Sequence, residues 1–242
     1  AVLISFTYVL VFVLEKIFGF VSSVTLVELS DVNNPVLREL SEECPGTFQH
    51  SMQVSNLASD AAHRIGANVQ LVRTGALYHD IGKINNPAFF TENQHGVNPH
   101  DALSPVQSAR IVINHVYDGL KRAEKMKLPA VITDFIRQHH GSGRAKYFYN
   151  TYCNAHPDED VDPAPFTYPG PNPQTKETSI LMMADAVEAA SRSLKEHTVP
   201  AITELVNRII DGQIRDGLHD ESPISFLSLI HISEPTRRSY IS

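Results

Sequence analysis

Seven side chains in this sequence have the types and spacing to do chemistry together: His50, His79, Asp80, His115, His139, His140 and Asp185. His79 and Asp80 stand in "YHDIGK", an imidazole and a carboxylate side by side with Gly82 two residues on. Neighbours on a helix point about 100° apart, so a surface helix gains nothing from such a pair, whereas a metal site does. The other six positions decide between a metal site and chance.

Helical periodicity sets their direction. Ile132, Phe135, Ile136, His139 and His140 fall at i, i+3, i+4, i+7 and i+8, which puts both histidines on an apolar stripe. His50 shares the stripe of Val54, Leu57 and Ala61. Asp185 lies one turn after Leu181 and beside Ala184, within "SILMMADAVEAASRSL", read as the most apolar helix of the chain. His115 is less clear, with Ile111 and Val112 near it but also Gly119 and Arg122. An unpaired carboxylate or imidazole turned inward costs several kcal/mol, on the order of what a domain can spare. Seven such groups need a cation to organise them. No thiol belongs to the set, which argues against a structural zinc and for an N/O site suited to iron or manganese. Seven donors exceed what one ion uses. Two divalent transition-metal ions are therefore expected, with Asp80 as the bridge between them. His63, His95, His100, His156, His197, His219 and His231 are read as loop or polar-face residues without a role.

The elements that must carry these residues read as helices throughout. A helix runs from His50 to Ile65 and closes at Gly66, and "NVQLVRTGALYHDIG" forms a second, stopped at Gly82. Residues 84–103 read as loop. Ser104 and Pro105 cap and open a helix to about Met126, and Pro129 opens the next, which ends at Gly141. A long irregular stretch follows to about 176, after which Thr178 is expected to cap the helix of Asp185. A last helix covers about 200–215. No convincing strand and no repeat appears, so the fold class is all-α.

The bulk numbers agree with a folded enzyme-sized domain. The 242 residues are 42% hydrophobic and 19% charged, with net charge −7, which disfavours a nucleic-acid polymer as partner. Two cysteines far apart suggest a reducing compartment. The first fourteen residues carry no charge. As a helix they rise about 21 Å, short of the roughly 30 Å hydrocarbon core, and are expected to be the end of a transmembrane helix. Residues 1–27 are thus taken as that end plus a juxtamembrane linker, 28–226 as the functional domain, and 227–242, with no clean period, as a tail without function.

The pattern His50, His79–Asp80, Asp185 resembles the H…HD…D signature of the HD-domain phosphohydrolases, and the added His115, His139 and His140 resemble their binuclear branch. "PGTFQHS", "FFTENQ", "HHGSGRAKYFY" and "YPGPNPQTKE" are similar to the cytoplasmic domain of the seven-transmembrane HD phosphodiesterases, which hydrolyse cyclic di-AMP. The resemblance covers about residues 8–226. It implies a helical bundle around a binuclear metal site, a cyclic dinucleotide substrate, and the cytoplasmic side of a bacterial inner (plasma) membrane protein. It also departs from the cyclic di-GMP branch, since "GSGRAKYFY" stands where that branch carries a Gly-Tyr-Pro loop. Phosphodiester cleavage then makes Lys83 a candidate for a phosphate oxygen, Arg144 and Lys146 for the second phosphate, and Tyr147, with Phe148, Tyr149, Phe166 and Tyr168, for stacking on adenine. The competing expectations are a mononuclear HD hydrolase of nucleotides or (p)ppGpp, which needs only four of the seven residues, and a silent nucleotide-binding sensor, which would be expected to have lost some of them.

Overall fold

The computed structural model describes residues 9–11, 13–15, 17, 20–94 and 96–225. Among the described residues nine α-helices follow residue 20: α1 Ser23–Leu29, α2 Pro35–Glu43, α3 Pro45–Arg64, α4 Val69–Tyr78, α5 Pro105–Met126, α6 Ala130–Gln138, α7 Lys146–Ala155, α8 Lys176–Ser191 and α9 Val199–Arg215. Among the described residues the β structure is limited to an isolated antiparallel bridge between Arg144 and Thr167. No described helix is long and apolar enough to cross a membrane. The expected tail, 227–242, and most of the N-terminal apolar run lie outside the described residues, as do His95 and His231.

Starts and stops follow local chemistry. Ser104 caps α5 in a capping box with Gln107, and Pro105 takes the first turn, as expected. The cap of α8 is Thr175, not Thr178: Thr178 sits three residues inside and closes the box back onto the Thr175 backbone. α4 ends at Tyr78 rather than Gly82, and a 3₁₀ turn over Ile81–Asn85 follows. Residues 84–103 are a series of short 3₁₀ turns. The stretch 141–176 is less irregular than its composition suggests, because it contains α7, whose aromatic residues pack on α5.

α8 is the axis. It is buried all round, from Ile180 and Leu181 to Met183 and Val187, which is why its sequence shows little amphipathic contrast. One core joins α3, α4, α8 and α9 through Leu57, Ala61, Val72, Leu181 and Val206. A second joins α1, α2, α4 and α6 through Leu26, Leu37, Leu40, Tyr78, Ile132 and Ile136. A third, under α5 and α7, holds Ile113, Val116, Phe166 and Tyr168. The site lies where α3, α5, α8 and the C-terminal ends of α4 and α6 converge.

Candidate metal centre

The same backbone device orients three of the imidazoles. Nδ1 of His79 contacts the Ala76 carbonyl at 2.6 Å, that of His115 the Val112 carbonyl, and that of His139 the Ile136 carbonyl at 2.9 Å. A carbonyl only accepts, so each Nδ1 carries the hydrogen and donates it. In the neutral ring each Nε2 is then a lone pair, and all three are directed into the site. His79 and His139 are the residues that close α4 and α6. The negative ends of two helix dipoles therefore meet here, a favourable place for cations.

Asp80 divides the candidate ligands into two sets. Its Oδ2 lies 3.2 Å from His79 Nε2 and 3.7 Å from His50 Nε2. Its Oδ1 lies 3.3 Å from His115 Nε2 and 3.6 Å from His139 Nε2. His50, His79 and Asp185 bring donor atoms within 4.8 Å of one another, and so do His115, His139 and His140. All seven residues expected from the sequence are thus brought together, with Asp80 between two triads. His115, the ambiguous one, is 2% exposed and faces His139.

The donors fit bound cations. His79 Nε2 and Asp80 Oδ1 are buried without a hydrogen-bond partner, a costly state for protein groups alone. The Nε2 atoms of His115 and His139 are 3.0 Å apart, two lone pairs facing each other unless positive charge sits between them. Electrostatics points the same way. Burial opposes the charged form of His79, yet Asp80 and Asp185 raise its pKa to about 10, so positive charge is favoured there. Burial also works against the Asp80 carboxylate, but Lys83 and His79 hold its pKa well below the usual range. Burial and the neighbouring imidazoles push His139 well down and His140 to about 3, which keeps both neutral and free to donate lone pairs.

Three partners were not anticipated: Glu188, Arg192 and Glu92. Glu188, one turn after Asp185 and 3% exposed, accepts the Nδ1 hydrogen of His50 while Asp185 Oδ1 lies 2.9 Å from its Nε2. Arg192 neutralises Glu188, with its terminal nitrogen 2.6 Å from Oε2. Lys83 is neither solvated nor free. Its ammonium lies 2.7 Å from Asp80 Oδ2 and 2.8 Å from Glu92 Oε1, and burial, which lowers its pKa, is outweighed by these carboxylates. Tyr168 sets its ring 4.1 Å from that of His140. The acidic residues at i+3 in "DAVE" were the available signal for Glu188, and nothing local signals Glu92.

Gly82 has ordinary backbone angles and is needed for a different reason than a turn. A Cβ there would stand 1.9 Å from the His115 carbonyl oxygen and 2.5 Å from the Gly119 nitrogen. The 3₁₀ turn that follows Asp80 therefore lies directly on the backbone of α5, and this contact holds His115 against Asp80.

A central cleft of about 540 Å³ opens onto the ligands and is lined by Lys83, Glu92, Arg192 and Tyr168. Beside it, sharing His140 and Tyr168, runs a second cleft with Arg144, Lys146 and Arg208 on its wall. Arg144 lies 4.7 Å over the Tyr149 ring, and Lys146 Nζ donates to Asp216 at 2.9 Å. Tyr147 is exposed and lines neither of these two clefts, while Phe166 is buried in the third core and cannot receive a base. Of the histidines assigned no role, His63 and His197 are exposed as expected, but His219 is buried and His100 half-buried.

The HD domain family model matches residues 47–190. The cyclic-di-AMP phosphodiesterase PgpH of Listeria monocytogenes is 45% identical over 212 residues, 87% of this chain and 29% of that protein. PgpH of Bacillus subtilis is 42% identical over 221 residues, 91% of this chain and 31% of that protein. The chain thus spans under a third of the length of these curated relatives. The crystal structure of the L. monocytogenes PgpH HD domain superposes with a TM-score of 0.81 at 42% identity, covering 86% of this chain and 97% of that one. The same domain in complex with cyclic-di-AMP gives 0.82 over 85% and 95%.

Proposed function

This chain belongs to the HD domain family, and we propose that it is a metal-dependent phosphodiesterase that opens cyclic di-AMP to linear pApA. The observation that carries the reading is the split of Asp80 between two histidine-containing triads. In this reading His50, His79 and Asp185 would hold one ion and His115, His139 and His140 the other, with Asp80 placed between the two triads. Two iron or manganese ions held there would supply Lewis-acid charge for phosphodiester hydrolysis at neutral pH.

The protein's own groups do the rest. Glu188 fixes the ring of His50 from behind, so that Nε2 faces inward. Lys83, pinned between Asp80 and Glu92, presents a permanent positive charge on the wall of the central cleft, where a phosphate oxygen gains from it. Phe90 and Val112 give that cleft an apolar wall. Arg144 and Lys146 offer charge in the second cleft for the phosphodiester that is not cut. The reading also takes residues 28–226 as the catalytic domain, on the cytoplasmic face of a bacterial plasma membrane. The charge-free residues 1–14 and the similarity to PgpH support that placement.

A panel of cyclic di-AMP, cyclic di-GMP and linear pApA, assayed with Mn(II) or Fe(II), tests the activity. Cyclic di-AMP is expected to be cut once and in preference to cyclic di-GMP. Equal efficiency on both cyclic dinucleotides would refute the substrate assignment, and no hydrolysis of either would refute the activity.

A further inference from the structure

A polar stripe on α4 faces α1 rather than the metal centre. Gln70, Thr74 and Tyr78 recur every four residues and so share one side of the helix. All three donate to α1 or its cap: Gln70 Nε2 to Ser30 Oγ at 3.1 Å, Thr74 Oγ1 to the Leu26 carbonyl at 3.1 Å, and the Tyr78 hydroxyl to the Leu29 carbonyl at 2.8 Å. Thr74 and Tyr78 are fully buried, the Tyr78 ring within the second core. α1 has seven residues, too few to hold a helix by themselves, so contacts of this kind keep it in place. Its other end is held by Glu15, whose carboxylate accepts the Ser22 N–H at 2.6 Å and the Thr25 hydroxyl at 2.9 Å. Tyr78 is the last residue of α4 and the one before His79. A path of hydrogen bonds and one peptide link therefore joins Glu15 to His79 and Asp80.

We propose that Tyr78 is a positioning residue for the metal centre and that α1 is the element through which it acts. The hydroxyl fixes the last turn of α4 against α1, and Glu15 fixes α1, so the placement of the segment around Glu15 sets that of His79 and Asp80. The inference rests on the metal reading above. Its physical basis is that two different constraints are needed. The bond from His79 Nδ1 to the Ala76 carbonyl orients the ring relative to α4, but it does not orient α4 relative to the helices that bring the other ligands. The stripe toward α1 supplies that second constraint, at the turn from which the ligand pair departs. Neither Glu15 nor Tyr78 lines the central or the second cleft, so the effect falls on the ligands and not on substrate contacts.

The test is competition titration with Mn(II) on the full chain. Tyr78→Phe keeps the buried ring and removes only the hydroxyl, and it should weaken Mn(II) affinity by about two- to tenfold, the range that one net hydrogen bond spans. The KM for cyclic di-AMP should not change. Glu15→Ala should weaken Mn(II) in the same direction, and the two changes together should cost less than the product of their separate effects, because they lie on one path. Glu28→Ala, exposed on the same helix, is the control and should bind Mn(II) as wild type does. Unchanged affinity in Tyr78→Phe, including the case where only its melting temperature falls, would overturn the proposal, and so would fully multiplicative losses in the double variant. Absence of Mn(II) binding by wild type would refute the metal reading instead. Amide hydrogen exchange of metal-free protein then decides the coupling by itself: residues 76–85 should exchange at least about twofold faster in Glu15→Ala and not in Glu28→Ala, and equal exchange would overturn it.

Discussion

Replacing Gly82 with alanine should break the centre without touching a ligand. The added methyl would meet the His115 carbonyl oxygen at 1.9 Å, and both this atom and the Gly119 nitrogen, at 2.5 Å, are helix backbone that no rotamer can move. Restoring an ordinary contact of 3.4 Å requires α5 and the 3₁₀ turn to part by about 1.5 Å. His115 Nε2 now lies 3.3 Å from Asp80 Oδ1 and 3.0 Å from His139 Nε2, so a displacement of that size pulls it out of its triad. Overpacking costs roughly 1–3 kcal/mol where side chains can yield. With backbone on both sides, about 3 kcal/mol or more is expected, a large part of a domain's stability. A control removes the generic effect of alanine: Gly212 in α9 has nothing within 4 Å of its Cβ position, and Gly212→Ala should stabilise by about 0.5–1 kcal/mol. Urea unfolding of metal-free protein gives the stability, and metal analysis after dialysis gives the occupancy. Gly82→Ala with wild-type stability and wild-type metal content would refute the claim that this contact positions His115.

Three further outcomes follow from the site. Purified wild-type protein should hold two transition-metal ions per chain, and His140→Ala one, with its helical circular dichroism retained; one ion in wild type under metal excess would rule out the binuclear centre. Glu188→Ala, which removes the acceptor for His50 Nδ1 and takes from Arg192 its nearer carboxylate, should weaken metal affinity by roughly 10–100-fold; Glu188→Gln should recover part of it, and equal affinity in competition titrations would dismiss the role. Burial lowers the pKa of His219 from 6.5 to about 4. Because the unfolded chain binds this proton first, stability is intact above pH 6.5 and falls between pH 6.5 and 4, by up to about 3 kcal/mol. In His219→Gln, acid titration of the unfolding free energy should be flatter over that window; an unchanged slope would show that His219 does not contribute.

Much of the site could be read in advance because helical periodicity decides direction. Once Val54, Leu57 and Ala61 define an inward stripe, His50 must face inward too, and the same holds for His139 after Ile132, Phe135 and Ile136. The cost of burying such groups without a cation then points to bound positive charge. Local reasoning failed where local signals were weak or shared. "KYFYNTYCNA" is short, rich in aromatic residues and lacks a side-chain N-cap, so α7 exists because it packs on α5. Thr175 and Thr178 can both cap, and only the reciprocal bond assigns them.

The sequence by itself determined the helical class, the inward direction of the ligands and the need for positive charge among them. The tertiary structure alone decided which donors share a triad, which oxygen of Asp80 faces each, and that Glu188, Glu92 and Lys83 brace them. A stripe states that a side chain enters the core, but its partner there depends on how five separate helical segments cross. Such a crossing is set by contacts far apart in the chain, like the Gly82 backbone against that of His115, and no window of sequence contains both sides.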